Sequence, residues 1–352
     1  MESAFQLLLE GDFQVRWEAT KRISAFGDVA IAPLVTLLQD EELEWEIRWF
    51  AARTLGYLDN AEALSALVQL LQSTQDDELI AIAAEGLSRT GVIGIQALID
   101  LFETPMHRVT AVRALAGIRH KAVLPSLLAA AEDRNPDVRA LGLSALGNFR
   151  DPQVDTLFIQ AVEDPVATVR KEAITHLGLR SYLLETTDLV DVLLPGLWDI
   201  HPSVNQATAI ALGRLGTETA VMSLARVLTS PHTPESFQKN LVNVLGWIKR
   251  ESALSALLSA SQTVSTSIQL EIIETLTHLE SPNMKQRAGA ALYHWLERVL
   301  EETGADALKQ AIAFALGHLH NEQSRPLLEK LAQDPDDRTR LYAQSALRQL
   351  AT

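Results

Sequence analysis

Cysteine is absent from all 352 residues of this chain. A chain without thiols cannot form disulfides, thiolate zinc sites or cysteine-ligated iron–sulfur clusters, and it has no cysteine nucleophile. Aromatic residues are also scarce, at 5% of the sequence. Because strands favour aromatic and β-branched side chains, an apolar content made mainly of leucine and alanine favours helices.

Long hydrophobic runs are missing as well. No stretch of 18 apolar residues occurs, and the N-terminal segment MESAFQLLLEGDF has no basic region followed by a long apolar core. Signal peptides and transmembrane helices both require such runs. We therefore expect no membrane insertion and a cytoplasmic location.

Positive charge is scarce in the first 103 residues. This segment holds 18 acidic and 6 basic side chains, whereas the rest of the chain holds 27 and 24. Since phosphate backbones are bound by clustered lysine and arginine, the imbalance argues against nucleic-acid binding. The acidic segment 1–103 is either a solvated surface or a docking surface for a basic patch on a partner.

The pattern Ala-x-x-x-Leu-Gly-x-Leu recurs along the sequence. Clear copies are AARTLGYL (51–58), LSALGNF (143–149), AIALGRLG (209–216) and AFALGHL (313–319). The glycine or its equivalent, taken as an anchor, falls at positions 24, 56, 88, 117, 147, 178, 213, 246, 277, 317 and 348. A period near 31 residues is typical of stacked helical hairpins. The sequence predicts an all-α fold, an α-solenoid of about eleven repeats that fills residues 1–352 as a single domain.

Each repeat is expected to contain two helices. The anchor ends one of them, the A helix, and a leucine-striped segment such as ALSALVQLLQS (63–73) forms the other, the B helix. Links such as DRNPDVR (133–139) and DPVATVR (164–170) share an Asp and an Arg at one spacing, which predicts a ladder of charged hydrogen bonds. The widest anchor spacing predicts a long inserted helix at about 284–303. We expect the B helices to line a concave surface.

The combined pattern Asp-Pro-x-x-x-Val-Arg-x-x-Ala-x-x-x-Leu-Gly resembles the HEAT-like repeats of phycobilisome (bilin) lyases of the E/F type. WEIRWFAARTLGYL (45–58) is the segment most similar to that family. The resemblance implies a HEAT-repeat solenoid along the whole chain. It also implies one of three roles: a lyase or isomerase for open-chain tetrapyrroles on phycobiliproteins, a factor in phycobilisome degradation, or a partner of iron–sulfur assembly proteins.

A bilin lyase needs cations for two propionates, aromatic faces for the pyrroles and a carboxylate near the pyrrole N–H groups. The local match is a cluster of candidate ligand- or partner-binding residues on and before one helix: Glu42, Glu44, Trp45, Glu46, Arg48, Trp49 and Arg53. The alternative interpretation places Trp49 in the core between repeats and makes Arg48 part of the charged ladder.

A second candidate lies in LWDIHP (197–202), where Trp198 and His201 stand at a predicted turn before Pro202. His201 is either a binding residue or part of a capped turn. No metal site is predicted: none of the nine histidines precedes a glutamate, and the sequence has no HExxH motif, Walker A motif or dinucleotide fingerprint.

These patterns predict a protein-binding or assembly factor that holds its partner on a concave or acidic surface. The expected partner is a phycobiliprotein, a related photosynthetic assembly protein or a second HEAT-repeat subunit. One alternative is a phycobilin lyase or isomerase, with the phycobilin as a transient ligand and no resident cofactor. Another is a scaffold partner of iron–sulfur assembly proteins. The sequence assigns no catalytic residue and leaves open whether the protein is an enzyme.

Overall fold

The computed structural model describes residues 1–302 and 304–351. Within these residues the chain forms 22 α-helices joined by short turns and 3-10 helices, and no strand is present. The B helices are α1 (Glu2–Glu10), α3 (Ile31–Gln39), α5 (Ala61–Ser73), α7 (Val92–Glu103), α9 (Leu124–Ala131), α11 (Pro152–Ala161), α13 (Leu189–Leu193), α15 (Glu218–Leu228), α17 (Glu251–Ala260), α19 (Pro282–Val299) and α21 (Arg325–Leu331). The A helices are α2 (Phe13–Ser24), α4 (Trp45–Leu55), α6 (Asp77–Arg89), α8 (Arg108–Ala116), α10 (Pro136–Leu146), α12 (Ala167–Leu177), α14 (Pro202–Leu215), α16 (Glu235–Trp247), α18 (Thr266–Thr277), α20 (Asp306–His318) and α22 (Asp337–Gln349). The prediction of an all-α solenoid is confirmed, with eleven B–A helix pairs.

Contacts divide the chain into two compact units, Met1–His176 and Leu177–Thr352. Each unit is an array of stacked helical hairpins with its own core, built mainly from leucine, alanine, isoleucine and valine. The organisation of 1–352 as a single solenoid domain stays a prediction.

Some of the glycine anchors lie directly against the next A helix. Every anchor lies within two residues of the end of an A helix, as the sequence predicts. A Cβ atom added to Gly56 would lie 2.5 Å from the Cα atom of Gly86, and one added to Gly317 would lie 2.7 Å from the Cα atom of Ala346. The contacted residue precedes the next anchor by two positions in each case. Small residues at these two positions therefore set the distance between neighbouring A helices.

The predicted ladder of charged hydrogen bonds is confirmed at several turns. Arg139 donates from Nε and Nη2 to the carboxylate of Asp164 at 2.8 and 3.0 Å, and from Nη1 to the backbone carbonyl of Asp133 at 2.9 Å. The carboxylate of Asp133 accepts from Arg108 of the preceding repeat at 2.9 Å. In the second unit Lys309 takes the arginine position and donates to Asp334. Each rung therefore ties a turn to the neighbouring repeat.

The long inserted helix is present, but its bounds differ from the prediction of 284–303. Helix α19 begins at Pro282 and ends at Val299, and at 18 residues it is the longest of the described helices. The earlier start follows from Pro282, whose fixed backbone angle suits the first turn of a helix. The helix ends where its buried stripe ends, since Glu301 and Glu302 after it are exposed. Residue 303 lies outside the described residues.

None of the helices in the described ranges is both long and apolar enough to span a membrane.

The close contact at Gly56 predicts that adding a single methyl group at this position destabilises the fold. Gly56→Ala should lower stability by about 1–3 kcal/mol, because the new Cβ meets backbone that can only move with its helix. Gly117→Ala is the matched control: Gly117 also follows an A helix, and a Cβ there would meet only the Ala114 carbonyl at 3.7 Å. Thermal unfolding should show a lower midpoint for Gly56→Ala alone. Equal midpoints for the two variants would contradict the proposed role of the anchor.

The ladder predicts that Asp164 stabilises the fold. Asp164→Ala should cost about 3 kcal/mol, because it leaves the largely buried guanidinium of Arg139 without its carboxylate. Glu280→Ala, which removes a fully exposed partner of Lys249, should leave the unfolding midpoint unchanged. A similar shift in both variants would show that the ladder pair is no stronger than a surface ion pair.

Candidate functional site

Large side chains that are exposed or partly exposed gather on the outward face of the first A helices. On α4 and the residues just after it, they stand four positions apart as Trp45, Trp49, Arg53 and Tyr57. Side chains from the A helices before and after this one extend the patch. We call it the aromatic–arginine surface, and its members are Phe13, Trp17, Trp45, Trp49, Arg53, Tyr57 and Arg89.

The guanidinium of Arg53 joins the first two repeats across this surface. Its Cζ atom lies 3.9 Å from the ring centre of Trp17, 5.5 Å from that of Trp49 and 5.6 Å from that of Tyr57. Nη2 also donates a hydrogen bond to the Tyr57 hydroxyl at 3.1 Å. These are cation–π distances, so the rings and the cation hold one another in place.

The aromatic rings continue from the surface into the core. Phe50 is fully buried, and its ring centre lies 5.2 Å from that of Phe13 and 5.1 Å from that of Trp49. Phe13 stacks on Trp17 at 6.2 Å. Even so, Phe13 and Trp45 are 53% and 52% exposed. The surface is therefore apolar, accessible and fixed by the core beneath it.

Helix α6 extends the surface by one repeat. The Cζ atom of Arg89 lies 4.6 Å from the ring centre of Tyr57. Arg89 also forms an ion pair with Glu85, and that hydrogen bond raises the pKa of the Arg89 guanidinium. Both arginines of the surface are therefore already engaged by aromatic rings or a carboxylate.

The structure separates the candidate residues predicted around α4. Trp45, Trp49 and Arg53 share the outward face. Arg48 instead donates from Nε to the Leu38 carbonyl at 3.1 Å, in the last turn of α3. This bond is to a backbone carbonyl and not to an aspartate, so the assignment of Arg48 to the charged ladder stays a prediction. Trp49 has features of both a core residue and a binding residue, because it contacts the buried Phe50 and remains partly exposed.

The three glutamates of the cluster also have different surroundings. Glu44 and Glu46 accept hydrogen bonds at 2.8 and 2.7 Å from the buried guanidinium of Arg16, on the preceding A helix. Glu42 lies exposed in the turn before α4, where its backbone N–H donates to Asp40. Glu44 and Glu46 therefore stabilise the stack of the first two repeats, and Glu42 remains available to solvent.

The second predicted candidate lies in the other unit. His201 is the N-cap of α14: its Nδ1 atom lies 3.4 Å from the backbone N–H of Ser203 and 2.8 Å from the Ser203 hydroxyl. Trp198 is half exposed, with Arg226 5.3 Å from its ring centre. These contacts agree with the interpretation of His201 as part of a capped turn.

A groove that the sequence pattern does not predict lies beside the aromatic–arginine surface. A cavity of about 570 Å³ lies across the A helices α6, α8 and α10. Its lining includes Ala81, Ala116 and Leu141, and the ion pair of Asp77 with Arg113 (2.9 Å) bridges α6 and α8. The only sequence signal was alanine at outward positions of the A helices, and alanine is too common in helices to stand out.

Exposed acidic side chains also lie just before α4 and in the first turn of α6. These are Glu41, Glu42 and Glu78, and in residues 1–302 and 304–351 no lysine or arginine forms an ion pair with them. Part of the negative charge of segment 1–103 therefore has no ion-pair partner at these positions. The same described ranges contain no group of three His, Cys, Asp or Glu residues placed to hold a metal ion.

Comparison with solved structures extends the fold assignment. Importin beta superimposes with a TM-score of 0.62 at 13% identity, over 99% of this chain and 55% of that protein. Kap121p bound to Pho4p gives a TM-score of 0.62 at 12% identity, over 99% and 45%. The chain thus spans about half the length of each. At these identities the likeness concerns the α-solenoid fold.

Comparison of sequences gives the family. No curated protein matches this sequence. The sequence profile of HEAT repeats matches residues 1–88, 95–178 and 154–235, which together make up more than half of the chain. The repeat period, the paired helices and the Asp/Arg ladder agree with that match. The chain therefore belongs to the HEAT-repeat family.

Proposed function

We propose that this chain is a non-catalytic protein-binding or assembly factor that holds its partner on the aromatic–arginine surface. The observation that carries the proposal is the composition and exposure of that surface. Trp, Tyr and Arg are the residues that contribute most binding energy at protein interfaces. Here they form one contiguous patch on an otherwise aromatic-poor chain.

Preorganisation supports the same role. The rings are fixed from below by Phe50 and from the side by Arg53, so a partner need not order them on binding. Rigid aromatic anchors lose little conformational entropy in a complex. These side chains belong to A helices, so the proposed surface differs from the B-helix surface expected from the sequence.

For the partner we propose a phycobiliprotein or a related photosynthetic assembly protein. The support is the resemblance of residues 45–58 to phycobilisome-lyase repeats, because this segment carries Trp45, Trp49, Arg53 and Tyr57. The segment most similar to phycobilisome-lyase repeats therefore also supplies exposed aromatic side chains of the aromatic–arginine surface.

The test is calorimetric titration of the full chain with an apo-phycobiliprotein. Wild type should bind in the micromolar range or tighter, and Trp45→Ala should weaken binding at least tenfold, a loss of about 1.4 kcal/mol. Trp247→Ala is the matched control, since Trp247 is similarly exposed on the A helix α16 of the other unit. Absence of binding by wild type would refute this partner. Equal affinities for all three proteins would refute the surface.

One observation favours a bilin lyase as the second candidate. Arg53 and Arg89 alternate with the rings of Trp17 and Tyr57, which supplies both cations and aromatic faces for a dianionic open-chain tetrapyrrole. A lyase should red-shift the absorbance of free phycocyanobilin and then transfer the pigment covalently to an apo-phycobiliprotein. Arg53→Ala should abolish the shift. An unchanged spectrum with wild type would exclude this activity and leave the binding role.

A further inference from the structure

We infer that the element of the partner held on this face is an extended basic segment of about a dozen residues, lying across the A helices α2 to α10 of the first unit. This inference rests on the proposed function and specifies the chemistry of the partner. It follows from the continuity of the aromatic–arginine surface with the groove, from the dimensions of that groove and from the distribution of charge.

The surface and the groove are continuous through α6. Glu85 and Arg89 stand on the outward face of this helix, with Arg89 against Tyr57 of the aromatic–arginine surface. Ala81 and Asp77, on the same face, line the groove. A segment bound over Trp45 and Tyr57 therefore passes directly onto the groove when it continues toward α10.

The dimensions fit an extended chain. Packed helices are about 8–10 Å apart, so the four steps from α2 to α10 span about 32–40 Å. An extended chain covers about 3.3 Å per residue, which gives about ten to twelve residues. Small side chains such as Ala81, Ala116 and Ala145 contribute to the lining of the groove. Its volume of about 570 Å³ accommodates an apolar side chain of the segment.

The charge distribution selects a basic segment. Arg53, Arg89 and Arg113 are already engaged by rings or carboxylates of this chain. In contrast, Glu41 and Glu42, in the turn just before Trp45, form no ion pair with a lysine or arginine within the described parts of the chain. Lysine and arginine of a partner can pair with these carboxylates and stack on the exposed Trp45 ring. A second copy of this chain is disfavoured as the occupant, because each copy has a net charge of −15.

The probe is a fluorescein-labelled peptide of twelve residues with alternating lysine or arginine and alanine and one central leucine. Matched peptides replace every cation with glutamine or with glutamate. In fluorescence anisotropy at 50 mM NaCl the basic peptide should bind at least tenfold more tightly than the glutamine peptide. At 500 mM NaCl the difference should shrink several-fold, since salt screens exposed charges. Equal affinities for the basic and glutamine peptides would overturn the inference.

Two pairs of variants locate the binding. Ala116→Trp fills the groove and should weaken the basic peptide at least fivefold, whereas Ala32→Trp, at an exposed alanine on the B helix α3, should not change its affinity. Similarly, Glu41→Lys with Glu42→Lys should weaken the peptide at least tenfold. The same charge change at the exposed Glu185 and Glu329 should have less than a twofold effect. Glu44 and Glu46 are left unchanged because they hold Arg16.

Equal losses within either pair would show that the peptide responds to bulk charge or bulk substitution, and would overturn the inference. The outcome is distinct from that of the proposed function. If Trp45→Ala weakens the apo-phycobiliprotein while the basic peptide shows no preference, the surface is an interface but its partner segment is not basic. If wild type binds the basic peptide as specified and no phycobiliprotein, the inference stands and the partner class is wrong.

Discussion

The close approach of successive A helices is the constraint on which each unit depends. At Gly56, Gly178 and Gly317 the anchor lies against a small residue two positions before the next anchor, namely Gly86, Ala211 and Ala346. A helical hairpin cannot bury both of its faces alone, so its stability comes from the neighbouring hairpins. The distance set at the anchors therefore determines how well every leucine of the two helices is covered.

A regular stack also explains the polar contacts. Equivalent turns recur at a constant distance along each unit, so an arginine of one repeat reaches the aspartate of the next. The bidentate contact of Arg139 with Asp164 shows this geometry, and Arg16 with Glu44 and Glu46 is a variant of it at the first pair of A helices. In these positions charged side chains contribute to the fold, and they are thereby unavailable to a partner.

The same stack turns residues that are distant in sequence into one surface. Side chains at outward positions of α2, α4 and α6 become neighbours because their helices lie side by side. Trp17 and Arg53 are 36 positions apart, yet the guanidinium lies 3.9 Å from the indole. The juxtaposition creates a rigid patch of rings and cations beside an alanine-lined groove, and the exposed carboxylates of Glu41 and Glu42 lie in the turn just before Trp45.

The sequence by itself determined the class of fold, the eleven helix pairs and the ladder of turns, because each is encoded in a local pattern that repeats with a fixed period. It also identified Trp45, Trp49 and Arg53 as residues of one helix face, since helical spacing is a local property. Only the tertiary structure decided that Arg48 donates to the last turn of α3, that Glu44 and Glu46 hold Arg16, and that Ala81 and Ala116 border a groove. Those assignments depend on which repeat stands beside which, and contacts between helices 28 to 36 residues apart cannot be deduced from the spacing within any one of them.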